Sequence, residues 1–125
     1  MKLLDTNVLV YARSPKSRFH QWAVEKIAEL VSAEGAVLSM ASLAELCAED
    51  GVISADVPEE IRNFGVQLLD LPAAAAIRCG EAYRTYRKQR KKESGKDAPK
   101  MPLPDFFIGA HAELLGLEVV TNDSD

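Results

Sequence analysis

The chain has 125 residues, 47% of them hydrophobic and 27% charged, with a net charge of −4, which is the composition of a folded globular protein rather than a disordered one. This length predicts one domain, residues 1–125, and the two widely separated cysteines, Cys47 and Cys79, belong to no zinc-binding or disulfide pattern. The sequence has neither the roughly 18 consecutive apolar residues of a membrane span nor a signal-peptide core, so we expect a cytoplasmic protein with no membrane partner.

The first half of the chain predicts two strands, each leading into a helix. Apolar residues at helical spacing, and breaks such as Pro15 and Gly35, set the boundaries. The predicted elements are a strand at residues 2–5, a helix at 7–13 begun by Thr6 and Asn7, a helix with Phe19, Trp22, Ala23, Ile27 and Leu30 on one face, a strand at 36–39 and a helix at 41–50.

Prolines open the predicted helices of the second half, where the fixed backbone angle of proline suits the first turn. The predicted elements are a helix from Pro58, a short extended link at residues 68–71, a long helix from Pro72 that Gly95 and Pro99 end, a helix from Pro104 to about Leu115 and a strand at 119–121. Strands that alternate with helices predict an α/β fold, here a three-layer α/β/α sandwich with a central, mainly parallel sheet.

Four acidic residues fall near the carboxyl ends of the predicted strands. Asp5 ends the first strand and Asp123 follows the last, while Glu45 and Asp105 lie in helices that can lean over the same edge. Binding sites in parallel α/β sheets form outside the carboxyl ends of the strands. We therefore expect Asp5, Glu45, Asp105 and Asp123 to form one catalytic site.

Carboxylates that converge repel one another unless a cation lies between them. Oxygen ligands favour Mg²⁺, with Mn²⁺ as a second fit, and the lack of a His or Cys cluster argues against zinc. The small polar residues Asn7, Ser39 and Thr121 are expected to hydrogen-bond the four metal-binding carboxylates and hold their orientation. The chemistry that this predicts is hydrolysis of a phosphodiester by metal-activated water.

Each acid also has a purely structural explanation. Asp5 is a suitable helix N-cap, and Ser42 with Glu45 matches a capping box unless the helix already begins near Ala41. Asp105 favours the positive end of its helix, and Asp123 suits a turn. A joint metal site explains all four positions at once.

Four stretches in chain order resemble the successive motifs of PIN-domain nucleases. They are Asp5-Thr6-Asn7 after a Leu-Leu strand, Ser39 followed by Ser42-Leu43-Ala44-Glu45-Leu46, LPDFFIGAHA at residues 103–112, and VVTND at 119–123. The likeness is strongest to the VapC-type toxins of prokaryotic type II toxin–antitoxin pairs, and it extends from the first residue to the last.

The resemblance implies a Mg²⁺-dependent endoribonuclease toxin that leaves a 5′-phosphate and a 3′-hydroxyl. It also implies a VapB-like antitoxin whose C-terminal segment covers the site, and a homodimer. Two features depart from the family pattern. Asn122 stands where many members have Arg, and the chain stops at Asp125 where relatives continue, which leaves a natural short form and a missing C-terminal tail both open.

A basic arm at residues 84–100 contrasts with the rest of the chain. It carries eight basic and two acidic residues, a net charge of +6, so that the remainder carries −10. Cations near a helix end stabilise the helix dipole, but eight exceed that need. We expect phosphate contacts with RNA from Arg84, Arg87, Lys88, Arg90, Lys91 and Lys92.

Other interpretations remain open at this point. His111 lies six residues after Asp105, on a largely different helical face, and is expected to be a packed histidine rather than a base. Rival functions are a non-toxin PIN nuclease acting on other RNA or on DNA, and a PIN-like module that binds RNA or protein without turnover. The sequence does not separate RNA from DNA as substrate.

Overall fold

A computed structural model describes residues 1–94 and 103–121. Within these residues four strands form one parallel sheet in the order β3-β2-β1-β4. The strands are β1 Lys2–Leu4, β2 Ala36–Ser39, β3 Gln67–Leu69 and β4 Glu118–Val120. The helices are α1 Thr6–Ala12, α2 His20–Ala33, α3 Met40–Cys47, α4 Val57–Asn63, α5 Ala73–Ser94 and α6 Leu103–Leu115, with a 3₁₀ turn at Ser54–Asp56.

The sheet has a packed layer on each face because successive side chains of a strand point to opposite sides. Leu4 and Leu38 pack with α1, α2, α3 and α4 on one face. Leu3 and Val37 pack with Ile108 of α6 on the other face. The predicted α/β/α sandwich with a parallel central sheet is confirmed.

Strand register fixes which side chains meet at the carboxyl edge of the sheet. Leu4 lies opposite both Leu38 and Val120. The backbone N–H of Asp5 then donates to the carbonyl of Val120 at 2.9 Å, which continues the β1–β4 pairing by one residue. Asp5, the end of β2 and Thr121 are therefore neighbours at this edge.

Several predicted boundaries shift by one to three residues, and one element changes its type. The extended link expected at residues 68–71 is the edge strand β3, paired in parallel with β2. A three-residue strand is too short for an alternating pattern, so only its partner reveals it. Helix α3 starts one residue early and ends at Cys47 rather than Asp50. Gly95 and Pro99, expected to end α5, lie outside the described residues.

Gly35 ends the connection from α2 to β2 as the sequence predicts. Its backbone φ is +93°, a left-handed conformation that a side chain disfavours, and its N–H donates to the carbonyl of Leu30 at 2.8 Å. None of the helices in the described ranges has the length and apolar character needed to cross a membrane.

Candidate active site

Asp5 is held in place by hydrogen bonds to both of its carboxylate oxygens. It is the N-cap of α1, where Oδ1 accepts from the backbone N–H of Thr6 at 2.8 Å. Oδ2 accepts from the hydroxyl of Thr121 at 2.9 Å. The residue that begins this helix is therefore Asp5, and not Thr6 and Asn7 as the sequence indicated. Capping and a role in a site coexist, because the second oxygen faces the carboxyl edge of the sheet.

Glu45 lies well inside α3 and has no capping function. The N-cap of α3 is Ser39, whose Oγ accepts from the backbone N–H of Ala41 at 3.2 Å. Ser42 is therefore buried within the helix instead of capping it, and the capping-box explanation of Glu45 is wrong.

Thr6 is the residue that orients Glu45, although its sequence position indicated only a role at the start of α1. Its hydroxyl donates to Oε1 of Glu45 at 2.8 Å and lies 2.9 Å from the hydroxyl of Ser42. Thr6 is 7% exposed, so little water competes for this bond. The only signal for it in the sequence was its place between Asp5 and Asn7, at the predicted turn from strand to helix.

Asp105 lies in the first turn of α6 and is exposed. It shares a cavity of about 230 Å³ with Asp5 and Asn7. The remaining lining residues are Ile108, Gly109, Val119 and Thr121. The structure thus brings Asp5 and Asp105 to one depression at the carboxyl edge, with Asn7 at its wall.

The electrostatics of Glu45 link it to the same depression. Its pKa is raised, first because burial disfavours the charged carboxylate and then because the negative charges of Asp105 and Asp5 add to that effect. The hydrogen bond from Thr6 opposes the shift. Three acids that are distant in sequence therefore lie within electrostatic range of one another.

The donor chemistry of this cluster fits a hard divalent cation. All three side chains offer carboxylate oxygens, which Mg²⁺ and Mn²⁺ prefer. Among residues 1–94 and 103–121, however, no three acidic, histidine or cysteine side chains are close enough together to hold one ion. Asp123, expected as the fourth ligand, lies outside the described residues, as does Asn122.

Ser39 has a different role from the one that its position in the sequence indicated. Its hydroxyl lies 3.1 Å from Nδ1 of His111 rather than against a carboxylate of the cluster. His111 is 1% exposed, which agrees with a packed histidine. Burial lowers the pKa of His111, because an apolar environment disfavours the imidazolium form.

The described part of the basic arm lies in the second half of α5. Helix α5 packs along α6. The arm residues Arg84, Arg87, Lys88, Lys91 and Lys92 are exposed, and Arg90 is partly buried. The contact with α6 includes the ring of Phe106, whose centroid lies 5.0 Å from that of Tyr83 and 5.2 Å from that of Tyr86. Lys96 and Lys100 lie outside the described residues.

A second, apolar groove of about 510 Å³ is lined by α3 together with Leu71 and Phe107. Its lining on α3 and the C-cap of that helix is Met40, Ala41, Ala44, Glu45 and Ala48. Glu45 therefore lines this groove as well as being coupled electrostatically to Asp5 and Asp105.

The comparisons with known proteins agree with this geometry. The family model of the PIN domain matches residues 2–125. No curated protein sequence matches the chain significantly. VapBC2 from Rickettsia felis, solved bound to a DNA fragment from their promoter, is 20% identical with a TM-score of 0.68, over 98% of this chain and 87% of that one.

Two further solved structures have the same fold. A toxin–antitoxin complex from Klebsiella pneumoniae is 20% identical with a TM-score of 0.63, over 100% of this chain and 88% of that one. FitAcB from Neisseria gonorrhoeae is 25% identical with a TM-score of 0.62, over 99% of this chain and 88% of that one.

Proposed function

The chain belongs to the PIN-domain family, and we propose that it is a Mg²⁺-dependent endoribonuclease, the toxin of a VapBC-type toxin–antitoxin pair. The convergence of Asp5, Glu45 and Asp105 supports this most directly, since the pKa of Glu45 is raised first by burial and then by the charges of the two aspartates. Acids gathered at the carboxyl edge of a parallel sheet are typical of a cation-dependent site.

In this proposal Asp5, Glu45, Asp105 and Asp123 would hold one or two divalent ions, Mg²⁺ or Mn²⁺. The chemistry that a bound ion would supply is activation of a water molecule and neutralisation of negative charge on the scissile phosphate. The chain's own contribution is orientation. Thr121 and the Thr6 amide fix the two oxygens of Asp5, and the Thr6 hydroxyl fixes Glu45.

Thr6 couples these two acids because its amide and its hydroxyl serve different carboxylates. Both bonds are 2.8 Å long, so a shift of this one residue would disturb Asp5 and Glu45 together. Supporting groups of this kind hold metal-binding carboxylates in a productive geometry.

A nucleic acid is the proposed class of substrate because the basic arm offsets the charge of the acidic body, and RNA is chosen because the chain resembles the VapC-type toxins. The arm carries +6 against −10 for the remainder, so a polyanion is attracted to the arm. Cations such as Arg84 and Arg87 contact the backbone phosphates, while the acids act at the scissile bond.

The proposed partner is a VapB-like antitoxin. Two of the structurally similar proteins were solved as toxin–antitoxin complexes or as VapBC assemblies. The apolar groove that Glu45 helps to line offers such a partner a surface next to the site. A homodimer is also expected, which sedimentation velocity of the purified chain would test.

Cleavage of RNA by the purified chain tests the proposal. Wild-type protein should cleave RNA with Mg²⁺ and lose this activity with excess chelator or with Asp5→Asn. The matched control is Asp56→Asn, an exposed aspartate of the 3₁₀ turn with no side-chain capping bond, which should leave cleavage unchanged. Activity that survives Asp5→Asn would overturn the proposal.

The same assay separates the rival functions. Cleavage of DNA in preference to RNA would identify a DNA nuclease. RNA binding without cleavage at any divalent-ion concentration would identify a binding module of the same fold.

A further inference from the structure

One face of α5 forms a groove that the proposed catalytic chemistry does not use. It has a volume of about 440 Å³, within the range of about 300–1,000 Å³ that is usual for ligand sites. Its lining residues are Gly80, Tyr83, Arg84, Arg87, Lys88 and Lys91. They recur every three to four positions, so they share one side of the helix over about 16 Å.

A glycine, Gly80, is among the lining residues of this groove, at a position without a structural need for glycine. Gly80 lies in the interior of α5, where glycine is less favourable than alanine. Its φ is not positive, and a Cβ atom built on it would meet no other atom within 4 Å. The consequence of the missing side chain is open space beside Tyr83.

The groove is also lined by the aromatic ring of Tyr83, which is held at a steep angle to the ring of Phe106. Tyr83 meets the ring of Phe106 edge to face, with 5.0 Å between centroids and 80° between planes. This packing on one edge steadies the tyrosine, which is itself only partly buried. Aromatic rings fixed in this way provide a surface on which a nucleobase stacks.

The rim of the groove is cationic. Arg84, Arg87, Lys88 and Lys91 are all exposed on the side of α5 that bears Tyr83. Positive side chains that flank an aromatic ring match the two parts of a nucleotide, its phosphate and its base. An unpaired strand meets this requirement, because the bases of a duplex are already stacked on one another.

The groove is connected to the acidic cluster through α6. Phe106, which packs on Tyr83, is the residue directly after Asp105, and Asp105 shares a cavity with Asp5.

We propose that this groove is a nucleotide subsite for single-stranded RNA, in which a base stacks on Tyr83 above Gly80 and the flanking phosphates contact the rim cations. The inference rests on the proposed ribonuclease function for its choice of RNA. It adds that the substrate is unpaired next to the cleavage site and is bound through stacking as well as charge.

Equilibrium binding without turnover tests the subsite separately from catalysis. The probe is a short fluorescein-labelled single-stranded RNA, compared with a duplex of the same sequence, measured by anisotropy with full-length protein in excess EDTA. The single strand should bind more tightly than the duplex.

Two variants address stacking. Tyr83→Ala should weaken single-strand binding between about fivefold and a hundredfold, whereas Tyr83→Phe should stay within about twofold of wild type because it keeps the ring. Arg84→Ala should lower the slope of log K against log salt by about 0.7, and Arg62→Ala, an exposed cation of α4, should leave the slope unchanged.

The groove can also be blocked by Gly80→Leu, a substitution that removes no contact of the folded protein. Gly80→Leu should fill the groove and weaken binding at least as much as Tyr83→Ala, while a glycine-to-leucine change improves helix propensity. Its control is Ala82→Leu, exposed on another side of α5 beside Arg78 and Thr85. Binding that resists both Gly80→Leu and Tyr83→Ala would overturn the subsite.

The remaining outcomes are also decisive. Equal affinity for duplex and single strand would overturn the stacking claim, and so would a Gly80→Leu effect on association with a protein partner but not with RNA. Intact binding in the groove variants, together with cleavage lost in Asp5→Asn, would overturn the subsite and leave the proposed function standing. Single-strand binding that depends on Tyr83, in a chain that cleaves nothing, would overturn the proposed function and leave the subsite standing.

Discussion

Nδ1 of His111 lies 3.1 Å from the hydroxyl of Ser39, and both side chains are buried. The pair joins α6, which carries Asp105, to the N-cap of α3, which carries Glu45. Because the Ser39 hydroxyl already accepts from the Ala41 amide, it is placed to donate to the ring nitrogen. The two helices that bring acids to the site are therefore connected by one buried polar contact.

Removing this contact should destabilise the protein. His111→Ala leaves the Ser39 hydroxyl without its ring partner and opens a cavity, and a buried polar group that loses its partner costs about 1–3 kcal/mol. Urea unfolding should show a lower free energy by at least that amount. Cleavage that is lost while the free energy of unfolding stays unchanged would instead indicate that His111 is a base.

The same histidine should make stability depend on pH. Its folded-state pKa is lowered by burial below the ordinary value of 6.5, so between these two values the unfolded chain binds more protons than the folded one. Stability contributed by His111 is therefore complete above pH 6.5 and falls as the pH drops from 6.5 toward the folded-state pKa.

Urea unfolding above and below pH 6.5 measures this dependence. His111→Gln should remove part of the difference between the two conditions, and His20→Gln serves as the control at the only other histidine of the chain. An unchanged difference in His111→Gln would show that other groups produce the pH dependence.

Loss of the Thr6 hydroxyl should reduce catalytic activity strongly. Thr6→Val keeps the shape of the side chain but loses the 2.8 Å bond to Glu45, which is the hydrogen bond that lowers the pKa of that acid. Loss of such a supporting contact typically reduces metal affinity or activity by about 10- to 100-fold.

A titration of activity against Mg²⁺ checks this expectation. Thr6→Ser should restore most of the activity because it keeps the hydroxyl. Thr85→Val, which removes the exposed hydroxyl of α5 that donates to the Glu81 carbonyl, should have no effect. Equal activity in Thr6→Val and Thr85→Val would contradict the role of Thr6.

The Glu45→Gln substitution should raise the stability of the protein and abolish its activity. The raised pKa of Glu45 means that its charged form is disfavoured in the folded state. At neutral pH without metal, the neutral amide avoids burial of that charge and its repulsion with Asp105 and Asp5, and its oxygen still accepts from Thr6. The melting temperature should therefore rise while cleavage is lost.

The raised pKa of Glu45 determines the pH range in which Glu45→Gln is more stable than the wild type. A raised carboxyl pKa costs stability only above the ordinary value of 4.5, with the full cost above the folded-state pKa, so the variant should lose its advantage as the pH falls from the folded-state pKa to 4.5. A lower melting temperature for Glu45→Gln in metal-free buffer at neutral pH would contradict the stability cost of a charged Glu45 that is buried near two aspartates.

Much of the sheet was predictable because the apolar residues of β1 and β2, Leu3-Leu4 and Ala36-Val37-Leu38, lie directly before polar residues. Asp5 could be placed at the carboxyl edge for the same reason, and the PIN resemblance supplied Glu45 and Asp105 in register. β3 and the partners of Thr6 and Ser39 could not be placed in this way. Each depends on contacts between residues distant in sequence, such as the bonds from Ser39 to His111 and from Thr6 to Glu45.

Binding of Mn²⁺ followed by electron paramagnetic resonance tests the central claim most directly, because it detects the ion itself and needs no RNA. Wild-type protein and the Asp56→Asn control should take up the ion saturably and with the same affinity, and Mg²⁺ should displace it. Asp5→Asn and Asp105→Asn should bind it much more weakly. Equal uptake by all four proteins would contradict a metal site built by these acids.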